Sequence, residues 1–167
     1  MPSRIDTIFR HVSTRPVAGK EDESSDFERM PVLIGVARVT PRVEFSDTEF
    51  PPSPVDYMED MARKAARDTG LAEEALLREI NGVAYCDQPS RTFPNMARSL
   101  GNRLGVREDA FCHGRAMGGD ACQAVTNLMA DRIAKGHEGV VLISMAMTTE
   151  TLRVIRRKYP ERRKPML

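Results

Sequence analysis

The side chains here that could do covalent or acid–base chemistry are the cysteines Cys86, Cys112 and Cys122 and the histidines His113 and His137. A cysteine becomes a useful nucleophile where helix N-terminal N–H groups or a neighbouring base hold it as thiolate. Cys122 is placed for the first of these. Gly118 and Gly119 read as a sharp turn that a positive φ would suit, and Asp120 as the N-cap of a helix starting at Ala121. Two features oppose reactivity. Asp120 adds negative charge at the same helix end, and Cys122 shares helical spacing with Val125, Met129 and Ile133, which predicts a buried, inert thiol. Cys112 and His113 are adjacent, so on a strand they point to opposite faces and make no catalytic pair. Cys112 then reads as packing, and His137, in a helix-to-strand loop, as solvated. His113 would meet Cys122 only if the turn folds back. The turn could cradle a phosphate as helix N-termini do. However, the GxGxxG and GxxxxGK patterns are missing, and Asp120 repels anions, so a nucleotide site is a weak reading.

These residues need a scaffold, and the hydrophobic pattern describes one. Residues 31–39, PVLIGVARV, are β-branched and apolar and predict a first strand, with Gly35 where another element approaches closely. Ser53, Pro54 and Asp56 form a helix entry signal ahead of an apolar stripe of Met58, Met61, Ala62, Ala65 and Ala66, with Gly70 as its end. Residues 72–78 predict a short helix or turn, and residues 80–86, INGVAYC, a second strand. A helix from Pro94 follows, burying Met96, Ala97, Leu100 and Leu104 and stopped by Gly105. Residues 110–113 form a short third strand. The glycine turn leads into a helix with Ala121, Val125, Leu128, Met129 and Ile133 on its apolar face, closed by Gly136. Val140, Val141, Leu142 and Ile143 are the uninterrupted run of a buried parallel strand. The expected fold class is α/β, a layered β-α-β-α-β-α-β unit with a mainly parallel sheet.

The flanks differ from this core. Residues 1–29, with the acidic run EDESSDFE, predict a disordered extension, and Met30 is a candidate start of the folded unit. Residues 30–150 are the expected domain. Residues 151–167 are a basic tail, seven of the residues from Arg153 to Lys164 being Lys or Arg. A solvated, frayed helix and a docking patch for an acidic surface both fit it.

The 167 residues support one domain, and 41% apolar with 29% charged residues is the balance of a soluble protein. A net charge of +1 gives no bulk attraction to nucleic acid or membrane, and no apolar run approaches a bilayer-spanning length. The odd cysteine count and irregular spacing show no metal-ligand pattern and suit a reducing compartment, the cytoplasm by default.

Residues 118–147, GGDACQAVTNLMADRIAKGHEGVVLISMAM, resemble the thiolase signature segment, in which a nucleophilic cysteine opens a buried helix read roughly as CGSGLQAV. PVLIGVARVTPR is similar to the first thiolase strand, and FPNMARSLGNRLGV to the segment usually read as QNPARQAALKAGLP. The nearest subgroup is the acetyl-CoA acetyltransferase-like proteins with a GGNSPQ-type turn. The resemblance implies the first half of a thiolase N-terminal domain and an acyl-CoA substrate class. Aligned on Gln123, the nucleophile position falls on Gly118, which has no side chain to form an acyl-enzyme. Cys122 then falls on an apolar family position and is at most a minor candidate thiol. The catalytic histidine, the acid/base cysteine and the GHP-type loop of the family's second half are not present in the 167 residues. The resemblance therefore implies a truncated acyltransferase homologue, inactive alone, with no cofactor or metal of its own. In the family the central helix lies between two sheets, so this chain would self-associate or pair with a thiolase-like partner. The other reading is a non-catalytic interaction subunit for such a partner or for an acyl carrier; a gene fragment is a third.

Overall fold

A computed structural model describes residues 29–40, 52–86, 95–115 and 118–159. The expectations that fall on residues 1–28, 41–51, 87–94, 116–117 and 160–167 lie outside the described residues.

The first helix, α1 (Pro54–Asp68), starts where its entry signal predicts. Asp56 N donates to Ser53 Oγ at 3.3 Å, and Ser53 N donates to Asp56 Oδ2 at 2.6 Å. This reciprocal capping box satisfies two N–H groups that the helix start would otherwise leave unpaired. Thr69 caps the carboxyl end, and Gly70 leaves it in the left-handed region at φ +73°. Then come α2 (Glu73–Glu79), β1 (Ile80–Cys86), α3 (Met96–Leu104), β2 (Phe111–Arg115), α4 (Ala121–Ala134), β3 (Val140–Ser144) and α5 (Thr149–Lys158). Asn95 is the N-cap of α3, at φ 49°, its side chain accepting from Arg98 N.

The strands form one parallel sheet in the order β2-β1-β3. Gly82 pairs with Phe111 and Cys86 with Arg115 on one side of β1; Ile80 pairs with Val140 and Tyr85 with Ser144 on the other. Successive β1 side chains alternate between two cores. On one face Val83 joins Met58, Leu77, Met96, Leu100 and Leu104 from the helices α1, α2 and α3. On the other, Ala84 and Cys86 meet Ala121, Val125 and Met129 of α4, with Phe111 and Val141 beside them. The result is the α/β layering expected from the apolar pattern.

Residues 31–39 depart from expectation. They run without helix or strand, and Val32 and Leu33 are 71% and 82% exposed. Strand assignment requires a hydrogen-bonded neighbour, and among the described residues this segment has none. It is held instead against α1: Val36 N donates to Asp68 Oδ2 at 3.0 Å, and Gly35 sits so close that a Cβ there would lie 2.2 Å from Ala65 O. The close approach predicted at Gly35 is thus present, with a helix as the neighbour.

The tail region is helical from Thr149 to Lys158. It buries Thr151, half-buries Leu152, Val154 and Ile155, and leaves Arg153, Arg156, Arg157 and Lys158 exposed. The helix is thus docked on the domain through one face.

Candidate functional site

In parallel α/β sheets, binding and chemistry gather at the carboxyl ends of the strands, where loops lead into helix N-termini. Here that end carries Cys86 on β1, Arg115 on β2, the Gly118–Gly119 turn, and Cys122 in the first turn of α4. Neither Gly118 nor Gly119 adopts a positive φ, so the turn is not built on left-handed backbone as the dipeptide suggests. A Cβ on Gly118 would lie 3.1 Å from Asp120 Oδ1, the movable end of an exposed side chain, and one on Gly119 would meet open space. The turn has room for a side chain.

Asp120 stands at the N-cap position of α4 but makes no side-chain capping bond. Its carboxylate reaches back to β2, where Arg115 Nη2 donates to Oδ2 at 3.1 Å. Its own φ of −100° and ψ of −5° differ from the extended geometry of Ser53, whose side chain does cap.

Cys122 corrects a second expectation. It is exposed, not buried. The buried stripe of α4 runs Ala121, Val125, Met129, at steps of four, and Cys122 sits 100° round the helix from Ala121. Its Sγ lies 3.6 Å from Met145 Sδ, just beyond β3. The buried thiol on this face is Cys86. Burial first, and then the Cys122 thiol, push Cys86 up to about 11, against a smaller opposing pull from Arg115.

Cys112 packs against the opposite core, and burial raises its pKa. His113 faces away from it, stacked on Phe111 with ring centroids 6.1 Å apart. The alternation that argued against a Cys112–His113 pair is therefore present in the sheet. His137 is exposed. Among the described residues no group of three or more His, Cys, Asp or Glu could hold a metal ion, and no helix is long and apolar enough to cross a membrane.

Two features had no sequence signal. One is a polar clasp at the amino end of the sheet: Glu138 is buried and takes two hydrogen bonds from Arg132, at 2.7 and 2.5 Å, while the guanidinium lies 3.6 Å over the Phe111 ring. Asn81 Oδ1 accepts there from Gly139 N and Val140 N. The other is an apolar cleft of about 910 Å³. One wall is the extended segment 31–40, and the other is 141–147, with Met61 and Ala65 of α1 and Met129 and Ile133 of α4 between them.

A monomeric SCP2-thiolase like protein type 1 from Mycobacterium smegmatis superposes with a TM-score of 0.56 at 29% identity, over 69% of this chain and 22% of that one. The chain is similar in fold and sequence to part of this thiolase-like protein. OleA of Xanthomonas campestris shares the fold at lower identity. Its acetamide-bound form matches at 18% identity and a TM-score of 0.52, over 72% of this chain and 35% of OleA. A form with lauric acid and lauroyl-CoA matches at 18% and 0.51. At 18% the OleA likeness speaks for fold alone. This chain spans about a fifth of the length of the M. smegmatis thiolase-like protein and about a third of OleA. No family model matches the sequence, and no curated protein does.

Proposed function

We propose that this chain is part of an acyltransferase-type thiolase fold whose substrates are acyl-CoA thioesters, and that by itself it forms no acyl-enzyme. The observation that carries the reading is the glycine turn. It stands where β2 leads into α4 at the carboxyl end of the parallel sheet, and in the resemblance to the thiolase signature, aligned on Gln123, the nucleophile position falls on Gly118. The relation to the M. smegmatis thiolase-like protein supports the acyl-thioester class, and the lauroyl-CoA in an OleA structure is in keeping with it. The acetyl-CoA acetyltransferase-like subgroup, with its GGNSPQ-type turn, is the finer form of the proposal. Acetoacetyl-CoA cleavage in the presence of free CoA tests it. The isolated chain gives no turnover above buffer. Turnover abolished by Cys122→Ala but kept in Cys86→Ala overturns both the inactivity and the assignment of Gly118.

A second reading, a non-catalytic interaction part, is favoured by the cleft between segment 31–40 and β3. Ile143, Met145 and Met147 are exposed along that edge, as are Val32, Leu33, Ile34 and Val36 across from it. In the described residues β3 bonds only to β1, so its outer edge keeps free N–H and C=O groups beside apolar walls. An extended strand from a second copy or a thiolase-like partner would satisfy both. Size-exclusion chromatography with light scattering then finds a dimer or larger assembly. A well-folded monomer contradicts this reading and leaves the first untouched.

A further inference from the structure

The polar clasp at the amino end of the sheet borders a second cavity, of about 320 Å³, at the opposite end of the strands from the glycine turn. That volume is within the range of small-ligand sites. Asn81 lies at the start of β1, Phe111 opens β2, Glu138 stands just ahead of β3, and Arg132 reaches over from the last turn of α4. Arg107, Asp109 and His137 complete the lining from exposed loop positions.

The acceptors around this cavity are engaged. Both oxygens of Glu138 receive N–H groups of Arg132, from Nε at 2.7 Å and Nη2 at 2.5 Å. Both oxygens of Asp109 receive those of Arg107 in the same forked way, from Nε at 2.6 Å and Nη2 at 2.5 Å. Asn81 Oδ1 accepts from Gly139 N and Val140 N, so its amide has only the Nδ2 hydrogens left to offer. The donors are in surplus. Each arginine fork leaves the Nη1 group and one Nη2 N–H over, and among the described residues neither these nor Asn81 Nδ2 has a hydrogen-bond partner. Arg132 is also fixed in place. Its guanidinium lies 3.6 Å over the Phe111 ring, and its fork holds a carboxylate whose side chain is only 4% exposed. Its remaining N–H groups are therefore presented at a set point before any ligand arrives. The carboxyl end of α4, whose carbonyls would repel an anion, is closed by Gly136 N on Ile133 O and His137 N on Arg132 O, both at 2.9 Å.

From this we infer that the cavity is a binding site for a small oxyanion, a carboxylate or a phosphate, held between Arg132, Arg107 and Asn81. Such groups carry only acceptor oxygens, spaced to match the N–H pairs of a guanidinium. Each arginine is balanced by its own carboxylate, so binding rests on hydrogen bonds more than on net charge and falls in the millimolar range. The site is separate from the glycine turn and from the apolar cleft, and it is independent of any acyl chemistry.

NMR titration of the ¹⁵N-labelled full chain with inorganic phosphate and, separately, with malonate tests it, with sodium chloride at equal ionic strength as the control. The Asn81 Nδ2 and Arg132 Nε signals shift saturably with phosphate or malonate and stay in place with chloride. A response to either anion supports the site, and the stronger of the two names the oxyanion it prefers. Arg107→Ala removes a side chain whose ion pair is exposed and leaves the fold intact, yet it weakens the response at least about tenfold. Arg156→Ala with Arg157→Ala, on the exposed face of α5, leaves the response unchanged. The wild-type titration does not depend on how any variant folds. No saturable shift at Asn81 and Arg132, shifts that follow chloride equally, an undiminished response in Arg107→Ala, or a response lost with the α5 arginines would each overturn the inference.

Discussion

A methyl group added at Gly35 would lie 2.2 Å from the Ala65 carbonyl oxygen, whereas one added at Gly118 would meet only the movable Asp120 carboxylate at 3.1 Å. The two glycines therefore predict opposite outcomes. Gly35→Ala forces the segment off α1, and because that segment is largely exposed, the loss is local detachment and not global unfolding. Limited proteolysis within 31–40 should accelerate while the melting temperature hardly changes; unchanged cleavage would contradict the close approach. Gly118→Ala should stay within about 0.5 kcal/mol of wild type in denaturant melts. A loss of several kcal/mol would mean that the turn needs glycine for its backbone. At this scale the sequence was legible where spacing is local. The alternation that separates Cys112 from His113 needs only the strand period. Cys122 was misread because its spacing to Val125 and Met129 fits a helix face, while the angle at which α4 meets the sheet selects Ala121 as the inward residue.

Elements show where local chemistry suffices and where contact at a distance decides. The capping box of α1 was readable from Ser53, Pro54 and Asp56. Asp56 is held below its ordinary carboxyl value, chiefly by the hydrogen bonds with Ser53, with help from Arg103, whose Nη1 is 2.6 Å away; partial burial opposes them. A depressed folded-state pKa stabilises above the unfolded value and loses that contribution as pH falls through the folded one. Ser53→Ala should thus cost about 1 kcal/mol at neutral pH. The gap between variant and wild type should narrow below about pH 4. A gap independent of pH would remove Asp56 from the explanation. The clasp between α4 and β3 was not readable, since Arg132 and Glu138 meet only after the helix closes at Gly136. Arg132→Ala would leave a buried carboxylate without its partner and should cost about 3 kcal/mol. Arg132→Ala combined with Glu138→Gln should recover part of it. Equal losses in the single and double variants would show that the cation stacked on Phe111 matters more than the pairing.

Across the whole molecule, the β-α alternation and its core were legible because each strand and helix carries its own apolar period, and the parallel sheet follows from helices long enough to cross over. The strand at 31–39 was not, because a strand exists only with a neighbour. Its apolar, β-branched sequence suits a sheet, whereas in the described residues it pairs with no strand and forms one wall of the cleft beside β3.

The central claim, that the turn at Gly118 holds no nucleophile, is tested most directly by covalent capture. The chain is incubated with an acyl-CoA, quenched in acid and weighed intact, beside the same chain unfolded in urea. The account predicts no acyl adduct on Cys122 or Cys86 in the folded protein beyond the unfolded background. An adduct on Cys122 that forms faster in the folded chain and vanishes in Cys122→Ala would contradict it and make that exposed thiol the acyl acceptor.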